Sequence, residues 1–235
     1  PLLSMQPHRT LDQIEANLID LNGTLVETDN RWADTLAQRL TPLKRILPRL
    51  DTNALGRTLV MSIEMPANYG VSIMEHLGLQ RVIQDLADRV RRSKGLATRK
   101  DSEKVEGTDR LLRALQGRYK LAVVTTRARP EALAFIEQLE IGDYFPVVIT
   151  RQDVFYMNAH PEPIRKAAAT LGVLPERCVM IGDTTMDVRA ARRAGVFAVA
   201  VLSGFGSRKE LTRAGADLIL DKAVDLLAHL PSEAL

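Results

Sequence analysis

Short apolar runs and helical patterns alternate along most of the chain. The runs fall at residues 17–20, "KLAVVT" (120–125), "PVVIT" (146–150), "CVMIG" (178–182), "VFAVAV" (196–201) and "DLIL" (217–220). Between them, residues 107–117, 129–139, 162–172 and 185–195 carry apolar positions three or four apart and then meet a Gly or polar break. Continuous apolar runs predict strands buried on both faces, and the amphipathic stretches predict the helices that cover them. The expected class is therefore α/β, a Rossmann-like, mostly parallel sheet between helices.

One stretch breaks this rhythm. From residue 30 to 99, "RWADTLAQRLTPLKRIL", "GVSIMEHLGL" and "QRVIQDLADRVRR" all read as helices with no strand between them. This predicts a core built from residues 14–29 and 100–235, with a helical cap and its return linker inserted at 30–99. Trp32, Met61, Met65, Tyr69, Met74 and His76 lie in that insert, where their helical spacing reads as packing before it reads as a substrate pocket.

Composition narrows the function classes. With 32 Lys and Arg against 29 Asp and Glu, the formal charge is only +3, which gives a nucleic-acid partner little support. The basic segment 91–104, "RRSKGLATRKDSEK", reads as a solvated connection. Cys178 is the only cysteine, so no internal disulfide or multi-cysteine metal site can form. No apolar run approaches the roughly 18 residues a membrane helix needs, and the N-terminal residues lack a signal-peptide pattern. A cytoplasmic protein without a membrane partner is the expectation.

The chemistry sits where the strands end. In an open parallel sheet, ligands bind beyond the carboxyl ends of the strands. Here those ends carry Asp20, Thr125, Asp183 and, on the loop after the third strand, Asn158. Asp187 follows in the first turn of the next helix, where an acid serves as a cap or dipole partner. Together with Asp20 and Asp183 it would instead crowd three carboxylates, which a hard divalent cation such as Mg²⁺ would relieve.

These strand ends carry motifs. "LIDLNGTLVETD", "VVTTRARPEAL", "DVFYMNAHPEPI" and "VMIGDTTMDVRAARRAG" resemble, in order, the four motifs of the haloacid-dehalogenase superfamily, especially its phosphoglycolate-phosphatase-like members with a helical cap after the first strand. "VEGTDRLLRALQ" resembles the segment that re-enters the core after the cap. The resemblance implies a Mg²⁺-dependent phosphohydrolase acting on a small phosphorylated metabolite, a phosphate ester, through an aspartyl-phosphate. It makes Asp20 the nucleophile and gives phosphate contacts to Gly23, Thr24, Thr125 and Asn158. It assigns the metal to Asp20, Asp183 and Asp187 with the backbone carbonyl of Asn22.

Two positions depart from the family pattern. Asn22 stands where the family has the Asp that protonates the leaving group and activates water, and an amide has no such proton at neutral pH. Asn158 stands where the family has a lysine, leaving a neutral amide in place of a cation. The pair loses one negative and one positive charge, so metal binding can survive while turnover is impaired or absent. Arg127 is a candidate substitute cation, although an Arg at a helix start ordinarily faces solvent; His160 reads as a loop or packing residue. The alternative to an impaired enzyme is an inactive metal- or metabolite-binding module, acting through a protein partner or as a homo-oligomer.

Overall fold

The computed structural model describes residues 11–27, 103–157 and 159–231. The chain divides into two units, Pro1–Glu27 with Ser102–Leu235 and Thr28–Asp101. The helical insert expected at 30–99, with its named apolar and aromatic residues, lies outside the described residues, as does most of the basic segment 91–104.

Six strands form one sheet: β1 Ala16–Ile19, β2 Lys120–Val124, β3 Val147–Ile149, β4 Cys178–Gly182, β5 Phe197–Val201 and β6 Leu218–Leu220. Their order is β3-β2-β1-β4-β5-β6, and every pairing is parallel. Among the described residues the α-helices are α1 Thr108–Leu115, α2 Arg129–Gln138, α3 Glu162–Leu171, α4 Thr185–Ala194 and α5 Arg208–Ala214. A 3₁₀ segment, Ala223–His229, follows β6.

Alternate strand residues feed two cores, because successive side chains point to opposite faces of a sheet. Ile19, Val123, Ile181 and Val199 pack with α1, α2 and the 223–229 segment. Leu18, Ala122, Met180 and Ala198 pack with α3, α4 and Leu211 of α5. With both faces covered, all four residues of β1 and all five of β4 are buried. Leu18 has no exposed surface, so its truncation to Ala is expected to cost about 2–5 kcal/mol. Cys178 also lies in the second core, where burial pushes its thiol up to about 12; it packs as a small apolar side chain.

The chain runs outward from β1 to β2 and β3, then returns to the other side of β1 with β4. That reversal leaves a crevice beyond the carboxyl ends of β1 and β4. Asp20 and Asp183 are the residues immediately after those two strands.

Candidate active site

The loop after β1 is a fixed turn. The Asp20 amide donates to the Ile181 carbonyl at 2.9 Å, tying the end of β1 to β4. The Gly23 amide donates to Val26 O at 2.7 Å, and Leu25 and Val26 donate back to Leu21 O. Gly23 has φ +72°, in the left-handed region that side chains disfavour. The re-entering chain clasps this turn from outside: Val105 donates to Leu25 O, Glu27 to Glu103 O, and the Thr108 hydroxyl to Leu25 O.

Asp183 sits against the turn with only 1% of its surface exposed. Its Oδ2 accepts from the Phe205 amide at 2.7 Å, and its carbonyl accepts from Gly206 at 3.0 Å. A Cβ at Gly204 would stand 1.9 Å from Asp183 Oδ2, and one at Gly23 would stand 2.4 Å from it. The Ser203 hydroxyl donates to Gly23 O at 2.5 Å. The loop after β5 thus completes a close-fitting cradle around one carboxylate.

Asp187 has two employments. Its Oδ2 accepts from the Thr184 amide at 3.0 Å and the Thr184 hydroxyl at 2.6 Å, while Thr184 caps the amides of Met186 and Asp187. This is a capping box opening α4. A carboxylate offers about four lone-pair sites, so the cap does not exhaust it.

The three carboxylates share one electrostatic environment. Burial, followed by the charges of Asp187 and Asp183, holds Asp20 well above the usual carboxylate range, although the Leu21 amide and Arg127 pull it down. Burial, followed by the charge of Asp187, pushes Asp183 up to about 7. Burial also raises Asp187. Desolvated like charges disfavour joint ionisation unless a cation joins them. Among the described residues, no group of three or more His, Cys, Asp or Glu side chains is arranged to hold an ion by itself. Oxygen ligands from backbone or substrate would have to complete any such site.

Arg127 is not a solvent-facing residue. Its Nε and Nη2 donate to Asn22 Oδ1 at 3.2 and 2.9 Å, and its Cζ lies 4.0 Å from the centroid of the buried Phe135 ring. Thr125 is buried at the end of β2, its hydroxyl accepting from the Arg127 amide at 3.3 Å. Thr24 is fully buried and its hydroxyl oxygen meets no protein partner. Asn158 lies outside the described residues; its neighbour Ala159 has φ +49°, and the Ala159 carbonyl accepts from Arg193 Nη1 at 2.7 Å. The His160 ring lies 4.7 Å from that of Tyr156, tilted by 45°, and its Nδ1 accepts from the Glu162 amide at 3.3 Å, as a loop residue at the start of α3.

This geometry has relatives. The family model for haloacid dehalogenase-like hydrolases matches residues 18–201, from within β1 to the end of β5. The chain belongs to that family. Among curated relatives, it is 37% identical over 112 residues to a pyrophosphatase, PpaX, of Bacillus cereus (strain AH820), a match covering 48% of this chain and 52% of that protein. It is 36% identical over 110 residues to the phosphoglycolate phosphatase of Salmonella typhimurium, a match covering 47% of this chain and 44% of that one. The chain therefore spans about half the length of the curated relatives it matches. A hydrolase from Pseudomonas syringae superposes with a TM-score of 0.66 at 24% identity, covering 92% of this chain and 97% of that one. A haloacid dehalogenase family hydrolase from Deinococcus radiodurans, solved with bound phosphate and sodium, gives 0.65 at 23% over 94% and 96%. Both share the haloacid-dehalogenase-like fold.

Asp20 and Asp183 were marked in the sequence by their place at strand ends, and Asp187 by its place in the helix turn that follows. The Ser203–Gly206 loop was not marked in the same way. The same strand-end rule, applied to the glycine-rich "SGFGS" after β5, would have found it.

Proposed function

We propose that this chain is a Mg²⁺-dependent, phosphatase-like protein that accepts a phosphoryl group from a small phosphorylated metabolite onto Asp20, with impaired or absent classical turnover. The observation that carries the reading is the meeting of Asp20, Asp183 and Asp187 at the β1/β4 switch point, where Asp183 is buried, Asp20 and Asp187 are half-buried, and all three are pushed toward the protonated form. The pyrophosphatase and phosphoglycolate phosphatase among its relatives support a phosphate substrate.

The donor set suits a hard cation. The carboxylates of Asp20 and Asp183 and the backbone carbonyl of Asn22 would hold it, with Asp187 in direct or outer support. A bound Mg²⁺ would supply the positive charge that lets Asp20 ionise beside an anionic phosphate. Asp20 then needs no base to attack phosphorus. The Thr125 hydroxyl can still donate, since its hydrogen bond from Arg127 uses only a lone pair. Asn22 offers no proton and no base. General acid–base assistance ordinarily contributes about 10²–10⁴ in rate, so its absence slows both formation and breakdown of the aspartyl-phosphate.

The second reading is a binding module that retains phosphate without chemistry. Asn22, engaged by Arg127 as a neutral acceptor, favours it. Restoring Asn22→Asp together with Asn158→Lys separates the two. With Mg²⁺ and a panel of small phosphate compounds, the double variant is expected to turn over well above the parent and above either single variant. Asp20→Asn in the restored background must abolish the gain. A parent with intact Asn22 that matches the double variant would overturn the impaired-enzyme reading.

A further inference from the structure

A guanidinium only donates hydrogen bonds, so the Asn22 atom facing Arg127 must be its carbonyl oxygen, whichever way the amide might otherwise be assigned. Two of the Arg127 nitrogens converge on that oxygen. Arg127 is itself steadied by Phe135, whose ring is 5% exposed and lies under the guanidinium, and by the Arg151 amide, which donates to the Arg127 carbonyl at 3.3 Å. The amide of Asn22 is thereby turned with its NH₂ away from Arg127. Position 22 therefore carries a neutral amide with a cation behind it. Such a group stabilises negative charge on a departing oxygen and cannot protonate it.

From this we infer that the phosphoryl donors of this site are compounds whose leaving group departs as a stable anion, acyl phosphates or phosphoanhydrides, and that alkyl phosphate esters are excluded. The inference rests on the reading of Asp20 as the phosphoryl acceptor. In the first step a bond forms between Asp20 oxygen and phosphorus, and the bond from phosphorus to the leaving oxygen breaks with its electron pair retained by that oxygen. A carboxylate, whose acid has a pKa of about 4, leaves without a proton, and a phosphate needs none from the protein when the departing end of the anhydride already carries one, the acid of that anion having a pKa of about 6. An alkoxide does not. In the second step water oxygen bonds to phosphorus, Asp20 leaves as carboxylate, and the proton of the water passes to a phosphoryl oxygen. That step has no base at position 22 and is the slow one. Arg127 is a positioning residue for Asn22, and its charge also favours the ionised form of Asp20.

The test is a single-turnover comparison of Asp20 phosphorylation, with Mg²⁺, by acetyl phosphate, by pyrophosphate and by ethyl phosphate. In the parent, the first two are expected to react and ethyl phosphate not. In Asn22→Asp, the ratio of acetyl to ethyl phosphate rates should fall on the order of 10²–10⁴-fold, the usual contribution of a general acid. In Arg127→Gln, transfer from acetyl phosphate should fall on the order of 10²–10³-fold, as for loss of one electrostatic donor. Arg127→Lys should recover part of that loss. Equal rates from ethyl and acetyl phosphate in the parent, or an unchanged ratio in Asn22→Asp, would overturn the substrate class while leaving the phosphoryl-acceptor reading standing. Failure of every donor to phosphorylate Asp20 would overturn both. The Asn22→Asp comparison does not depend on Arg127→Gln folding.

Discussion

Replacing Asp183 by Asn in the metal-free protein should reverse its effect on stability between acid and mildly alkaline pH. In the folded protein Asp183 keeps its proton up to about pH 7, against an ordinary value of 3.8. Over that interval the folded state binds more protons than the unfolded one, so stability falls as pH rises. At 1.36 kcal/mol per pH unit, the full loss is about 4 kcal/mol once both states are ionised. Asparagine carries no such penalty, and its carbonyl can still accept from Phe205. Its NH₂ would lack the acceptor it needs, at a cost of about 1–3 kcal/mol. The variant is therefore expected to be less stable than the parent by about 1–3 kcal/mol near pH 4 and more stable by a similar amount near pH 8. Denaturant unfolding at both pH values, in chelator, measures this directly. Added Mg²⁺ should erase the difference near pH 8 by stabilising the parent alone. A variant equally destabilised at both pH values would refute the picture of Asp183 as a buried, charge-crowded acid.

Two further outcomes follow from the turn and its cradle. Gly204→Ala places a methyl group 1.9 Å from Asp183 Oδ2; it should cost about 1–3 kcal/mol and weaken Mg²⁺ binding, read by thermal unfolding and by titration calorimetry. Asn22 precedes a glycine, yet the Gly23 amide that would have to attack its side chain is held by Val26 O at 2.7 Å. Peptide mapping of the folded protein should therefore show Asn22 deamidating much more slowly than in the denatured chain, and equal rates would contradict the rigid turn.

The sheet was legible because its strands are buried on both faces and so appear as unbroken apolar runs, each within about a residue of the observed strand. Asp20 and Asp183 were legible for a related reason, since a carboxylate at the end of such a run has no place in the core, and Asp187 was legible by its place four residues past Asp183 in the first turn of α4. Arg127 was not. Its ordinary place is solvent, and no periodicity links it to an asparagine on a distant loop. Thr24 followed the turn motif in sequence, but the turn encloses its hydroxyl. Asn17 opened an apolar run and drew no notice; in β1 it is fully buried with neither side-chain polar atom bonded to protein. Nothing in the structure explains that choice of residue.

Phosphorylation of Asp20 is the central event, and it can be measured directly. The parent, incubated with Mg²⁺ and acetyl phosphate and quenched in acid, should gain one phosphoryl mass, hydroxylamine-labile and mapping to Asp20. The adduct should be absent from Asp20→Asn, reduced by chelator, and shorter-lived once Asn22→Asp restores a base. A parent that stays unmodified under these conditions, or carries its label on another residue, would contradict it.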